Sequence, residues 1–312
     1  MIAHAFARAA RRAAVAGAVA ATGACELTEV VIADADDVVV AEFVLIAGVF
    51  QQVGILHRTR GTDASSTPVD DATVEVVSAT GERMRYQHAL PQQCVHRHRQ
   101  DELQRTACYV SDRILPIPFV RPGGEYTLRI TLADGRTLTG STTVPASFDL
   151  IRPVADRACA LPPDRLLEMS WTRSTTAWVY VAETELQGLR VALAERGVEL
   201  EDDPLRLFGL SISNTDTAIA FPAEFGVFDR FNPDLTEALA AIQGGLPPDV
   251  FADVVIGAAD RNYVNWERGG VFNPSGFVRI PSVFGDGTGV FGSVVRRGVT
   301  MWTGAAGDLP PC

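Results

Sequence analysis

The sequence predicts a mostly β protein with two β-sandwich domains and a small helical insertion in the second domain. Residues 38–50 (VVVAEFVLIAGVF) are rich in β-branched and aromatic side chains, which favour strands. Two segments of alternating polarity flank an Asp-Gly turn at 134–135, a pattern typical of a β-hairpin. Candidate strands recur at roughly 8 to 12 residues without a helical period, as expected of an antiparallel sandwich.

The first domain is predicted to cover residues 38–144. After its first strand, residues 56–71 (LHRTRGTDASSTPVDD) have the composition of turns and loops. Residues 72–77 alternate in polarity, and after a turn the segment RMRYQ continues as the second arm of a hairpin. A polar loop bounded by two cysteines follows, and the hairpin around Asp134 and Gly135 ends the domain.

The second domain is predicted to cover residues 145–312. Residues 166–172 and 176–182 are expected to form a strand pair. Trp171 and the Trp178-Val-Tyr180 segment resemble the early strands of a fibronectin type III sandwich, in which a tryptophan fills the core. We therefore expect both sandwiches to be immunoglobulin-like or fibronectin III-like.

Helices are expected at two places in the second domain. Asn232 and Pro233 are typical of a helix start and Gly244 of a helix end, so a short helix is predicted near 232–243. A second helix is predicted near 259–267, and residues 186–201 fit either a helix or a hairpin. Strands are expected again at 271–283 and 289–300.

Residues 1–24 have the pattern of a secretory signal peptide. Three arginines precede an Ala-rich run, and that run of about 12 uncharged residues is shorter than the roughly 20 that span a bilayer. Thr22-Gly23-Ala24-Cys25 resembles a bacterial lipoprotein box, which implies that Cys25 becomes the acylated first residue. A plain secreted protein and an uncleaved anchor are the alternatives. Residues 25–37 are interpreted as an acidic tether.

The charge of the chain argues against nucleic acid as a partner. Every basic residue apart from histidine is arginine. Without the signal peptide the chain has 24 Arg and 38 Asp plus Glu residues, which gives a net charge of −14. Such a surface repels phosphate backbones, and no basic stripe offsets it. No other apolar run is long enough to span a bilayer. The membrane is therefore expected as a partner through acyl chains on Cys25, of which more than one is needed for durable attachment.

The five cysteines fit an exported protein. With Cys25 acylated, four remain, and they allow three pairings. We favour Cys94 with Cys108, which closes a short local loop, and Cys159 with Cys312, which ties the last residue to the start of the second half. Export to an oxidising compartment favours such bridges.

His96 and His98 belong to the one cluster with metal-ligand residue types. Together with His88 or the nearby cysteines they could supply ligands for zinc. A disulfide competes for the same thiols, so a solvated histidine loop is the favoured interpretation and no metal is expected. Glu183 and Glu185 share a strand face, which we interpret as exposed rather than catalytic.

The best candidate for a binding surface is the segment 262–270. Aromatic, amide and guanidinium side chains lie beside flexible glycines there, a combination enriched at recognition sites. The candidate residues are Asn262, Tyr263, Asn265, Trp266 and Arg268. The alternative is that Tyr263 and Trp266, three positions apart on a helix, fill the core.

Several loose motifs follow the signal peptide: 68–77 (PVDDATVEVV), 122–128 (PGGEYTL) closing on 143–145 (TVP), 273–281 (NPSGFVRIP) and 289–292 (GVFG). In these motifs the chain resembles a bacterial outer-membrane lipoprotein family, that of domain of unknown function 4249. The resemblance implies a position at the outer membrane, often beside TonB-dependent transporters. It implies no catalytic residue and no cofactor.

We therefore expect an outer-membrane lipoprotein that is not an enzyme. It would act as a binding or accessory component, with a TonB-dependent transporter as a candidate partner. The alternatives are a zinc-dependent or carboxylate hydrolase that uses the loop of His96 and His98, and a cell-surface adhesion or structural protein.

Overall fold

The computed structural model describes residues 38–59, 67–94, 106–112, 116–211, 213–224, 235–269, 280–304 and 307–312. The predicted signal peptide, Cys25, the predicted tether, His96 and His98 lie outside these ranges. All described residues belong to one compact unit, Asp36–Cys312. None of the helices described is both long and apolar enough to cross a membrane.

The described chain is mostly β, which confirms the predicted fold class. Its strands in chain order are β1 Val38–Ile46, β2 Val53–Thr59, β3 Thr67–Pro68, β4 Thr73–Ser78, β5 Arg83–Ala89, β6 Ala107–Ser111, β7 Glu125–Thr131, β8 Thr137–Thr143, β9 Leu150–Arg152, β10 Ala158–Ala160, β11 Leu167–Trp171, β12 Val179–Gln187, β13 Leu205–Leu210, β14 Ala218–Phe221, β15 Phe251–Ala259, β16 Val283–Gly285 and β17 Gly287–Trp302.

Three short α-helices accompany the strands in the described ranges. They are α1 Leu189–Ala194, α2 Thr236–Ala241 and α3 Arg261–Gly269, and a single 3₁₀ turn covers Pro91–Cys94. The helix α1 lies within residues 186–201, a segment whose sequence fitted either a helix or a hairpin. The other two lie at the predicted helix positions, although the predicted start of α2 at Asn232 and Pro233 falls outside the described residues.

The strands of the described chain form one large sheet and one small sheet. The large sheet has the order β13-β12-β15-β17-β1-β2-β6-β5-β4-β7-β8-β16, with β10 added to β17 and β3 to β2. The small sheet has the order β14-β11-β9. Leu167, Met169 and Trp171 of β11 pack into the same apolar core as the large sheet, which makes this part a β-sandwich.

The long strand β17 holds the large sheet together. Its first half runs parallel to β1, from Gly287 beside Val39 to Val294 beside Ile46. Its second half, from Val294 onwards, pairs antiparallel with β15. The strand β17 therefore pairs both with β1, which precedes the predicted boundary at 144–145, and with β15, which follows it. The predicted division into two domains, with a helical insertion in the second, is not confirmed.

The two predicted local hairpins are confirmed. β4 pairs with β5, and β7 pairs with β8 in a register that places Thr131 beside Thr137. Gly135 supplies the positive φ of 87° that the second turn requires. In both hairpins a short turn fixes the register, so the sequence signal was local.

Two sequence predictions were wrong about strands. Residues 56–59, interpreted as loop, belong to β2, because the pairing with β1 and β6 outweighs the turn-like composition around them. The segments around Trp171 and Trp178 do not pair: β11 pairs with β9 and β14, and β12 pairs with β13 and β15. The residues between them cross from the small sheet to the large one, so Trp171 is buried while Trp178 is 47% exposed.

Buried tyrosines fasten loops to the strands. The Tyr126 hydroxyl donates to the carbonyl of Phe119 at 2.8 Å and accepts from the backbone N–H of Arg121 at 2.9 Å. This is the arrangement of a tyrosine corner, a feature of Greek-key sandwiches. Burial raises the pKa of the Tyr109 hydroxyl, which makes a comparable contact to Val69, to about 12.

Both favoured disulfides are present. Cys94 in the 3₁₀ turn is bonded to Cys108 in β6, and Cys159 in β10 is bonded to Cys312. The second bond fastens the last residue to the strand that pairs with the end of β17. All four cysteines within the described ranges are therefore in disulfides.

Candidate functional site

Asp260, between β15 and α3, is the buried polar centre of the candidate site. One carboxylate oxygen, Oδ1, accepts from the backbone N–H of Tyr263 at 2.9 Å and of Ser293 at 3.1 Å. The other, Oδ2, accepts from the Thr142 hydroxyl at 2.6 Å. An aspartate that accepts from the third residue of a helix is an N-cap, so this side chain fixes α3 to both β8 and β17.

Burial raises the pKa of the Asp260 carboxyl to about 6, although the hydrogen bonds from Thr142, Tyr263 and Ser293 oppose the rise. The Thr142 hydroxyl also lies 2.8 Å from that of Ser293. Every oxygen of this group thus has a partner within the protein. The network holds the start of α3 in one position relative to β8 and β17.

The structure corrects the binding-surface hypothesis for Tyr263 and Trp266. Both side chains are buried, at 6% and 7% exposure. Tyr263 packs with Val44 and Val294, and Trp266 with Val40. The physical reason is that β1 and β17 present apolar side chains on their outer face as well as to the main core, and α3 covers that outer face.

The other three residues of the predicted binding surface differ in their contacts and exposure. The Asn262 amide donates to the carbonyls of Ser141 at 2.8 Å and Phe291 at 3.0 Å. Asn265 is half-buried and Arg268 is exposed. Of the five candidates, Asn262 alone borders the cleft described next.

A cleft of about 700 Å³ opens beside the start of α3. Its walls are the outer face of β4, β7 and β8 on one side and the residues before β12 with the first turn of α3 on the other. The lining residues are Val77, Ser78, Ala79, Glu125, Tyr126, Thr127, Arg129, Ser141, Thr142, Thr143, Thr176, Trp178, Asp260, Arg261 and Asn262.

Trp178 is the exposed aromatic residue of this cleft. Its backbone N–H donates to the carbonyl of Ala259 at 2.9 Å, which anchors the residue next to the start of α3. The guanidinium of Arg261 lies over the indole, 5.3 Å from the ring centroid. This stacking is a cation–π contact that fixes the arginine at the mouth of the cleft.

The sheet wall of the cleft is polar because its strands alternate. Successive side chains point to opposite faces of a strand, so Thr127 and Arg129 of β7 face outward while their neighbours enter the core. Ser141 lies beside Thr127 in the register of β7 and β8. On β4, Glu75 lies beside Arg129 and also 3.3 Å from Arg83.

The cleft can recognise a ligand through several kinds of contact. The half-exposed indole of Trp178 offers an apolar surface, and the hydroxyl groups of the sheet wall donate and accept hydrogen bonds. Arg129 and Arg261 offer guanidinium groups, and Glu125 offers a carboxylate. Pockets that bind small molecules combine such aromatic surfaces with a few placed polar groups.

The predicted metal ligands do not come together in the described structure. Cys94 and Cys108 are bonded to each other, so neither thiol is free to bind zinc. His88 lies against Tyr109, with ring centroids 5.9 Å apart. Within the described ranges, which exclude His96 and His98, no three His, Cys, Asp or Glu side chains are grouped to hold a metal ion.

The carboxylate pair on β12 is engaged in ion pairs. Glu183 contacts Arg296 at 2.7 Å, and Glu185 contacts Arg206 at 3.0 Å. The first pair reaches from β12 past β15 to β17, and the second joins the neighbouring strands β12 and β13. Both glutamates are half-buried. Of the predicted site residues that the structure describes, Asn262 alone lines the cleft. The other cleft residues, such as Trp178 and Arg129, come together only through pairing between distant parts of the chain.

No family model matches the chain, and no curated protein matches it. Among solved structures, it is similar to the fibronectin(III)-like modules of Clostridium thermocellum CbhA, at 11% identity over 86% of this chain and 93% of that chain, with a TM-score of 0.19. It is also similar to a two-domain structure of DIP-gamma (IG1+IG2), at 8% identity over 86% of this chain and 98% of that chain, with a TM-score of 0.19.

A third similarity is to Dpr11 IG1 bound to DIP-gamma IG+IG2, at 11% identity over 59% of this chain and 94% of that chain, with a TM-score of 0.20. TM-scores at this level carry no argument about function. The fold class therefore rests on the strand pairing of the chain itself.

Proposed function

We propose that this chain is an exported, lipid-anchored binding or accessory component that is not an enzyme and that binds its ligand in the Trp178 cleft. The observation that carries the proposal is the indole of Trp178, 47% exposed, with Arg261 stacked over it at the mouth of a polar cleft. Covering the exposed part of such a ring contributes roughly 1 kcal/mol or more to binding.

The rigidity of the cleft supports a binding role. One wall consists of hydrogen-bonded strands, and the other is fixed by the Asp260 network to β8 and β17. Groups held in place before the ligand arrives lose little conformational entropy when it binds. Such a built surface is suited to recognition of one ligand class.

Export and anchoring are proposed from the sequence and are consistent with the disulfides. Two disulfides fit an oxidising compartment rather than the cytosol. The lipoprotein box at Cys25, the membership of the lipoprotein family and the position beside a TonB-dependent transporter at the outer membrane are parts of this proposal. A role in cell-surface adhesion uses the same cleft with a partner protein as the ligand.

The hydrolase alternative is weaker. It needed ligands from the loop between Cys94 and Cys108, and the bond between those cysteines removes two of them. The carboxylates of Glu183 and Glu185 form ion pairs with arginines on other strands of the same sheet. A binding function makes no demand on either group.

Binding is tested with the exported Cys25→Ser form of the full chain, purified with its disulfides intact, on an array that carries both polysaccharides and peptides. We expect the protein to bind at least one of these two classes of probe, and we expect Trp178→Ala to abolish that binding. Phe251→Ala is the matched control, because Phe251 is 46% exposed and lies outside the cleft. Equal retention by all three proteins would contradict the proposal.

Anchoring is tested separately by labelling with radioactive palmitate. The wild-type chain is expected to incorporate label and to sediment with outer membranes, whereas Cys25→Ser incorporates none. Unlabelled wild-type protein recovered unprocessed from the cytosol would contradict export and anchoring together.

A further inference from the structure

We propose that the ligand of the Trp178 cleft is an acidic glycan, with one sugar ring stacked on the indole and its carboxylate bound by Arg129 and Arg261. This inference rests on the proposed function and names its ligand class. It combines three observations: the surroundings of Trp178, the state of the β8 edge, and the charges around the cleft.

The surroundings of Trp178 suit a ligand that is apolar on one face and polar at its edges. Hydroxyl-bearing side chains line the same cleft: Thr127, Ser141, Thr143 and Thr176. The Thr176 hydroxyl accepts from the backbone N–H of Ala146 at 2.7 Å. A fully apolar ligand would cover the other three hydroxyls without offering them a hydrogen bond, which is costly. A pyranose ring has C–H groups on its faces and hydroxyl groups around its rim, so it satisfies both demands.

The edge of β8 argues against an extended peptide that adds a strand. Peptides bound in that way need free backbone groups on a sheet edge. Here the carbonyl of Ser141 accepts from the Asn262 amide at 2.8 Å, and residues 138–140 of β8 are already paired with β16. The ligand in the cleft therefore meets side chains rather than a strand edge.

The charges of the cleft identify an anionic group on the ligand. No carboxylate of the described residues lies within ion-pair distance of Arg261, whose contact is the indole of Trp178. Arg129 forms a long ion pair with the Glu75 carboxylate, at 3.9 Å, and Glu75 also contacts Arg83 at 3.3 Å. The cleft of this strongly acidic chain is thus bordered by two guanidinium groups: that of Arg129, in a long and shared ion pair, and that of Arg261, with no ion-pair partner among the described residues. Guanidinium binds carboxylate with good geometry.

Glu125 distinguishes a sugar from a simple anion. Its carboxylate lines the same cleft and would repel a small anion such as phosphate. For a glycan the same carboxylate is an acceptor for sugar hydroxyls. An acidic sugar uses both kinds of group, whereas a neutral sugar leaves the arginines unused and a bare anion leaves the indole unused.

The test measures binding of the exported Cys25→Ser chain by calorimetry to polygalacturonate, alginate and hyaluronate, each compared with its methyl-esterified form. Esterification keeps the sugar ring and removes the charge. We expect at least one acidic polysaccharide to bind at least tenfold more tightly than its ester, with a salt-dependent affinity. Trp178→Ala, Arg129→Gln and Arg261→Gln are each expected to weaken that binding at least fivefold.

Arg206→Gln is the matched control, because Arg206 is an exposed arginine in an ion pair outside the cleft, and it is expected to bind as the wild type does. Equal binding of acid and ester would overturn the assignment of an acidic ligand. Retention of peptides alone, still dependent on Trp178, would overturn the glycan while the proposed function stands. Absence of Trp178-dependent retention of any probe would overturn both.

Discussion

The carboxylate of Asp260 accepts a 2.6 Å hydrogen bond from the hydroxyl of Thr142, a residue 118 positions earlier in the chain. This contact connects the start of α3 to β8 and so sets one wall of the cleft against the other. It is buried, and its strength depends on the ionisation of one group. The contact therefore links the stability of the fold to pH.

Stability is expected to fall as pH rises from about 4 to about 6, through the effect of Asp260 alone. The folded pKa is about 6, above the ordinary value of 3.8, so between these values the folded state binds more protons than the unfolded state and loses stability with rising pH. A pKa rise of about 2 corresponds to about 3 kcal/mol. The carboxyl group contributes no further change above about pH 7.

Asp260→Asn is the variant that isolates this effect. The amide keeps an acceptor for the N–H groups of Tyr263 and Ser293, and the Thr142 hydroxyl can turn to donate to Ser293. Denaturant unfolding at several pH values should therefore show the wild type losing stability relative to the variant between pH 4 and 6. A constant difference across that range would show that the Asp260 pKa is not raised.

The two tryptophans near the cleft should differ sharply in their effect on stability. Trp266→Ala removes a buried ring and is expected to lower the free energy of unfolding by about 3–5 kcal/mol. Trp178→Ala removes a half-exposed ring and is expected to change it by less than about 1 kcal/mol. Thermal and denaturant unfolding of both variants measure this, and similar losses would contradict the burial pattern.

The two disulfides should stabilise the fold to different extents. In the chain-entropy model the Cys94–Cys108 loop of about 15 residues contributes about 3 kcal/mol, and the much longer Cys159–Cys312 loop about 5 kcal/mol. Cys94→Ser with Cys108→Ser is therefore expected to cost less stability than Cys159→Ser with Cys312→Ser. Mass mapping of unreduced peptides should find both bonds, and free thiols at Cys94 and Cys108 would contradict the pairing.

Residues 38–144 are not expected to fold when produced alone. In the full chain β1 pairs with β17 and β8 with β16, and both partners lie outside that fragment. Val40 and Val44 would also lose their cover from α3. A dispersed NMR spectrum and a cooperative unfolding transition of the fragment would instead support the predicted division into two domains.

The sequence predicted those elements that depend on residues close to one another in the chain. The turn at Asp134 and Gly135 carries its own signal, and so does the alternation of β7 and β8. The parallel pairing of β1 with β17 has no such signal, because its partners are more than 240 positions apart (Val39 beside Gly287). The predicted two-domain division, which is not confirmed, did not include that pairing.

The candidate site was harder to predict for the same reason. Tyr263 and Trp266 are three positions apart, which shows that they share a helix face but not whether that face is covered. The apolar outer face of β1 and β17 covers it. Trp178 is exposed because the chain changes sheets just before it. Arg129 and Thr143, which line the same cleft, belong to a hairpin that is distant in the sequence.

The central claim is that Trp178 is the aromatic surface on which the ligand binds. The chain has four tryptophans, so the indole N–H signals of ¹⁵N-labelled protein, assigned with Trp178→Phe, report each of them during a titration with polygalacturonate. The account predicts that the Trp178 signal shifts with saturation while the other three stay within a small fraction of that change. A shift confined to another tryptophan, or no shift at any of them, would contradict it.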